Sequence, residues 1–261
     1  MISPAAVEPL GPAPLSPRAL PADGAPEFWV LDAARAEEIG GLPAADGPAL
    51  LFDAEERARA ARFVHEGDRI RYRASHVGLR VLLGAYLDLP PAHVVFDRAP
   101  CPSCALPHGR PVLGAAHAKA GAHPLHFSLS HSGDLALFGF ASAPIGVDVE
   151  RHPSPGSAAD VAGQLHPRER AELAVLSTPA GHTEAVARCW ARKEAYLKGV
   201  GVGVALGTEE PYVGAGPAPS APAGWLLRDL PTEPGHAAAY ALALTPSGAS
   251  GAAHTSGVPR A

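Results

Sequence analysis

The stretch LHFSLSHSGDLALFGFASAPIGVDVE, residues 125–150, decides the fold. LHFSLSHSG and LALFGFA read as two strands meeting at Ser132-Gly133-Asp134, a turn-forming triplet, and IGVDVE reads as a third strand. Three strands thus follow one another with no helix between them. Upstream, Phe28 to Leu31 is a further strand, and Asp53 to Phe63 and Asp68 to Leu87 carry charged and apolar residues at helical spacing. Downstream, His166-Pro167 with Glu169 close behind opens a helix to about Leu176, and Glu184 to Gly199 forms another that glycine ends. GWLLRDL and HAAAYALAL are two final strands joined by a Pro/Gly turn. Strands joined as hairpins, without regular strand-helix alternation, indicate an α+β fold rather than a doubly wound sheet.

A chain of 261 residues with 47% hydrophobic content can bury a sizeable core. Residues 1–26, rich in Pro and Ala, and residues 245–261, small and polar, are expected to be flexible tails. Pro, Gly, Cys and His interrupt residues 97–124, and GAGPAPSAPAG at 214–224 is expected to be a linker or long loop. A net charge of −5 argues against a nucleic-acid partner. The N-terminus has neither a basic leader nor an apolar run, and the most apolar stretch, Leu135 to Val149, is broken by Gly, Ser, Pro and Asp. No membrane association is expected. Three cysteines, an odd number, suit a reducing compartment, and the cytoplasm is the expected location.

Asp148 and Glu150 alternate with Val147 and Val149, so both carboxylates share one face of a strand, roughly 7 Å apart at the backbone. Like charges held together call for a counter-charge, and oxygen-only ligands suit a hard cation such as magnesium. The plainer alternative is a strand end turning into solvent. In CWARKEAYLKGVGVGV, 189–204, Trp190, Glu194 and Lys198 fall along one side of a helix, with Lys193 adjacent. The set is either a surface ion pair beside a core Trp or an acidic ligand flanked by phosphate-binding cations. Ser130, His131 and Ser132 are placed at a hairpin tip that could hold a phosphate; with no obvious buried acid beside them they do not make a hydrolase triad. Cys101, Cys104 and His108 have the spacing of zinc ligands, with His117 or His123 as a fourth, or else are ordinary loop residues.

Taken in order, FSLSHSG (127–133), IGVDVE (145–150) and WARKEAYLK (190–198) resemble the signature of the Sfp-type 4′-phosphopantetheinyl transferases. ERARAARF (56–63), DRIRYR (68–73), GRPVL (109–113) and LHPRE (165–169) add to the resemblance, which covers roughly Asp53 to Val204. It implies a pseudo-twofold pair of α+β halves, 27–125 and 126–244, with coenzyme A bound between them. It further implies transfer of the phosphopantetheine arm of coenzyme A to a serine of an apo acyl or peptidyl carrier protein, with release of adenosine 3′,5′-bisphosphate. Asp148, Glu150 and Glu194 would then be the Mg2+ ligands, with Glu194 or a metal-held water as base. Lys193 and Lys198 would meet the pyrophosphate, and Ser130 and His131 would lie near the nucleotide phosphates. Gly109, Arg110 and Pro111 would lie by the adenine, with Arg59, Arg62 and Arg71 by the 3′-phosphate. Ser128 departs from the asparagine common in that family. A monomer is expected, and the length and alanine-rich composition are compatible with secondary-metabolite biosynthesis. A magnesium-dependent nuclease and a zinc-stapled binding module are the rival readings. The acidic balance counts against the first and the intact acidic trio against the second.

Overall fold

A computed structural model describes residues 5–11, 14–34, 51–102, 104–106, 109–117, 124–202 and 207–244. Its strands are β1 (Val7–Pro9), β2 (Glu27–Asp32), β3 (Phe96–Arg98), β4 (Pro111–Leu113), β5 (His126–Ser132), β6 (Leu135–Ala141), β7 (Ile145–Arg151), β8 (Trp225–Leu230) and β9 (His236–Ala243). Its α-helices are α1 (Ala54–Ala61), α2 (Glu66–Leu87), α3 (Pro155–Gly163), α4 (Pro167–Ala174) and α5 (Pro179–Val200). One sheet has the order β1-β2-β6-β5, a second β7-β9-β8, and β3 pairs with β4 alone. The architecture is α+β, with a 22-residue helix for each principal sheet.

Strand alternation explains the layering. On β2 and β6, Trp29, Leu31, Ala136, Phe138 and Phe140 face α2, packing with Val77, Leu82 and Leu83. The opposite face carries Phe28, Leu135 and Leu137 against Val147, Val149, Tyr240 and Leu242 of the second sheet. That sheet in turn puts Ala239 and Ala241 beneath Ala191 and Ala195 of α5. The order is therefore helix, sheet, sheet, helix, and β6 is buried along its whole length because it is covered on both faces.

The two sheets also meet side by side, where β5 runs next to β7. The join is made by side chains rather than by a backbone ladder. Val147 N donates to Ser128 Oγ and Arg151 N donates to Ser132 Oγ, each at 3.1 Å. Alternate serines of FSLSHSG thus supply the acceptors that a neighbouring strand would otherwise provide.

Gly146 sets how closely α5 lies on β7. A Cβ at this position would sit 2.0 Å from the Ala195 carbonyl oxygen and 2.4 Å from Gly199 N, both backbone atoms. Only a glycine admits that approach. Gly146→Ala is expected to destabilise the fold by about 1–3 kcal/mol by forcing α5 off the strand. Chemical denaturation measures this, and an unchanged midpoint would refute it.

Three expectations need correction. β1 pairs in parallel with β2, and Leu10 is buried, so this part of residues 1–26 belongs to the fold; the 245–261 expectation lies outside the described residues. The β5–β6 hairpin joins the first sheet through β2, so the passage between halves falls between Ala141 and Ile145 rather than near 125. Helix α5 begins at Pro179, because Thr178 caps it by accepting from Gly181 N and proline suits the first helical position.

Candidate functional site

The face of β7 that points toward α5 carries Asp148 and Glu150, and α5 lays Glu194 and Lys198 over it. Asp148 is 1% exposed. Its Oδ1 accepts from Ser130 Oγ at 2.7 Å and from Lys198 Nζ at 2.5 Å, while its Oδ2 is buried with no hydrogen-bond partner. Lys198 Nζ also reaches Ser130 Oγ at 2.8 Å. Glu150 Oε2 accepts from Ser132 Oγ at 3.1 Å. Serines of β5, carboxylates of β7 and the last turn of α5 thus converge where the two halves meet.

The electrostatics of the cluster point one way. Burial, and then the Asp148 charge, push Glu150 up to about 7. Glu194 is raised by the same two causes in the same order, and Asp148 is raised by burial despite the opposing ammonium of Lys198. Burial is the leading cause for all three acids, and the Asp148 charge adds to it at Glu150 and Glu194, so the cluster is short of positive charge.

The unpartnered Asp148 Oδ2 and the oxygen-only donor set fit a hard divalent cation in charge and chemistry. Among the described residues, however, no group of three His, Cys, Asp or Glu is so placed that it could hold a metal ion, and the Lys198 ammonium supplies the counter-charge to Asp148.

Beside Lys198 opens a cleft of about 690 Å³. Arg59, Gly109, Arg110 and Pro111 line it, so four of the residues expected to contact the nucleotide share one cavity with the lysine expected at its pyrophosphate. Gly109 fits tightly under Ala99, whose carbonyl oxygen would lie 2.5 Å from a Cβ. Arg110 is tied by Nη1 to the Gly199 carbonyl at 3.0 Å, at the C-terminus of α5 where a cation is favoured. His131 is held below the usual imidazole range by desolvation and by the positive charges of Lys198, His76, Arg59 and Arg71.

Several expected residues are placed elsewhere. Lys193 is fully buried, 2.8 Å from Glu169 Oε2 and 2.7 Å from the Pro211 carbonyl, because helical geometry turns it about 100° from Glu194 into the core. It is not a pyrophosphate contact. Ser130 is buried within β5 rather than exposed at a hairpin tip, and its hydroxyl is spent on Asp148 and Lys198. Arg71 is held by Asp68 at 3.0 Å and Asp134 at 2.9 Å, and Arg62 is exposed and does not line the cleft. Cys101 and Cys104 form no disulfide, and His117 Nε2 accepts from Val95 N at 2.8 Å. His108 and His123 lie outside the described residues.

Sequence reading missed the buried groups behind the cleft. Glu56 and Arg80 are 6% and 1% exposed, and Arg80 Nε and Nη2 grip the Glu56 carboxylate at 2.9 and 2.5 Å. His76 adds Nδ1 to the same carboxylate at 3.0 Å. The available signal was Asp53-x-x-Glu56, which the structure shows to be a capping box at the start of α1.

Comparison with known proteins agrees with this geometry. The family described as the 4'-phosphopantetheinyl transferase superfamily matches residues 144–244, the span from β7 through α5 to β9. The chain is 34% identical over 202 residues to the 4'-phosphopantetheinyl transferase HetI of Nostoc sp., covering 75% of this chain and 80% of that protein. It is 29% identical over 154 residues to a 4'-phosphopantetheinyl transferase of Bacillus subtilis, covering 59% and 62%. With 4'-phosphopantetheinyl transferase Sfp of Bacillus subtilis strain 168 it shares 23% over 152 residues, covering 58% and 61%. The chain belongs to the 4′-phosphopantetheinyl transferase superfamily.

Proposed function

We propose that the protein transfers the 4′-phosphopantetheine arm of coenzyme A to a serine hydroxyl of an apo acyl or peptidyl carrier protein. The observation that carries this reading is the convergence of Asp148, Glu150, Glu194 and Lys198 beside a nucleotide-sized cleft, in a chain of this superfamily. The carrier's serine oxygen attacks the phosphorus that bears pantetheine. The bond from that phosphorus to the bridging oxygen breaks, and adenosine 3′,5′-bisphosphate leaves with the electron pair. The serine proton passes to a carboxylate of the cluster, directly or through water; Glu194, held above the ordinary carboxylate range by burial and by the Asp148 charge, suits that role.

Lys198 meets developing negative charge on the diphosphate, and Asp148 with Ser130 fixes its ammonium. Gly109, Arg110 and Pro111 take the adenine end and Arg59 takes phosphate oxygens within the cleft; His131, which does not line the cleft, is assigned to the nucleotide phosphates by the family resemblance alone. Mg2+ is assigned to Asp148, Glu150 and Glu194 on the strength of their charge and oxygen donors, although among the described residues the three are not placed as a ready-made metal site; when bound, the ion would offset diphosphate charge. The attacking nucleophile belongs to the partner, so the chain requires positioning groups rather than an activated serine of its own. No described helix is long and apolar enough to cross a membrane. The reading places the enzyme in the reducing cytoplasm as a monomer, activating carriers of secondary metabolism.

Incubation with an apo carrier, coenzyme A and Mg2+, followed by mass analysis, is expected to show a gain of one phosphopantetheine arm. Glu194→Gln is expected to slow the gain at least a hundredfold, an order set by the loss of a general base. Carriers unchanged in mass after incubation with the wild-type protein would refute the proposal.

A further inference from the structure

Two stretches of the cleft lining come from different halves of the chain. Gly109, Arg110 and Pro111 lie at and just before the start of β4, whereas Lys198, Gly201 and Val202 lie at the end of α5. The first stretch is fixed by its own hairpin. Gly109 N donates to the Ala99 carbonyl at 2.9 Å and Ala99 N donates to the Arg110 carbonyl at 3.0 Å, which prolongs the β3–β4 ladder. The second is a helix end, where the last carbonyls lack intrahelical donors. Gly201, at φ +90°, and Val202 turn their amides back onto the Leu197 carbonyl at 2.9 and 3.3 Å. The Gly199 carbonyl accepts instead from Arg110 Nη1 at 3.0 Å, a donor from the opposite half.

The rest of the Arg110 side chain fits the same purpose. Its Cδ lies 3.4 Å from where a Cβ on Gly201 would stand, so the stem packs along the terminal turn of α5. Arg110 has no carboxylate partner among the described residues, and desolvation holds its guanidinium below the ordinary range. Its acceptor is a helix C-terminus, where the macrodipole favours a cation. The residue before Gly199 is Lys198, whose ammonium is aligned by Asp148 and Ser130. Gly199 itself is wedged against β7, since a Cβ on Gly146 would lie 2.4 Å from its amide nitrogen. One guanidinium thus joins the nucleotide wall to the turn that carries the reacting cation.

We infer that Arg110 is a positioning residue for the transfer, its side chain acting through the Gly199 carbonyl to hold Lys198 at a fixed reach from the adenine wall. The inference rests on the proposed transferase reading and gives the Arg110 side chain a use within it, apart from any contact of the 109–111 backbone with the adenine. Arg110 touches no reacting atom. It governs how fast bound substrate reacts rather than how tightly substrate is held.

Kinetics of carrier modification, beside calorimetric titration of the full chain with coenzyme A, test it. Arg110→Met keeps an aliphatic stem against Gly201 and removes the guanidinium. This variant is expected to lose roughly tenfold in kcat, the scale of one charge-assisted hydrogen bond, with KM and Kd for coenzyme A within about twofold of wild type. Arg110→Lys keeps a cationic donor on the same wall and is expected to recover most of kcat. In a Lys198→Met background, read under single-turnover conditions, Arg110→Met is expected to slow transfer by less than about twofold more, because the group it positions is gone. An unchanged kcat, a loss confined to KM and Kd, or an undiminished tenfold loss without Lys198 would overturn the assignment of Arg110 while leaving the transferase reading standing. A wild-type protein that modifies no carrier would overturn that reading and the inference with it.

Discussion

Asp148→Asn is expected to lower kcat/KM for carrier modification by on the order of 10²–10³, the scale on which a preorganised electrostatic group acts on a transition state. Asparagine keeps the shape of the side chain and its bond from Ser130, so packing is little disturbed. What changes is charge. Lys198 loses the carboxylate that holds its ammonium 2.5 Å away, and the position of Oδ2, buried with no hydrogen-bond partner, is no longer anionic. Lys198 remains partly solvated, with its side chain 29% exposed, so the variant is expected to unfold within about 1 kcal/mol of wild type. Quantifying modified carrier by mass, beside a denaturation curve, separates the two effects. Retained turnover would show that Asp148 is structural.

The second large effect lies away from the reacting atoms. Glu169 and Lys193 are both fully buried and 2.8 Å apart. His166 N and Val213 N also donate to the Glu169 carboxylate, and Lys193 Nζ also donates to the Pro211 carbonyl. Breaking such a pair strands a charge in a low-dielectric core, so Glu169→Ala is expected to lose about 3–5 kcal/mol. For a chain of this size that corresponds to a melting temperature lower by roughly 10 °C. Replacing both together, Glu169→Leu with Lys193→Met, is expected to recover most of the loss, because neither charge is then left unpaired. A single variant that loses less than about 1 kcal/mol would show that Lys193 finds water.

This ion pair also shows what could be read from the residues and what could not. The spacing of WARKEAYLK distinguishes a helix, and the alternation of IGVDVE puts its two acids on one face; both hold in the structure. The direction in which Lys193 points does not follow from its neighbour Glu194, because adjacent helical residues diverge and only the packing of α4 against α5 decides which is enclosed. Ser130 was misplaced for a similar reason. Its dipeptide partners suggest a turn, yet β5 continues to Ser132, and only the tertiary approach of β7 buries the hydroxyl. β3 and β4 escaped notice because three-residue strands carry too little period to rise above a Pro/Gly background. His76 escaped because its significance depends on Glu56, twenty residues earlier.

The serine-bridged contact between β5 and β7 bears on how the protein behaves when stressed. Each strand ends its own sheet, and such a margin, if bare, offers a row of amides and carbonyls to any passing extended chain. Here each margin is masked by the other half of the same molecule, through hydroxyls that bond well but impose no rigid register. Loosening the halves would thus uncover two adhesive borders at once, and self-association is expected to begin there before either helix melts.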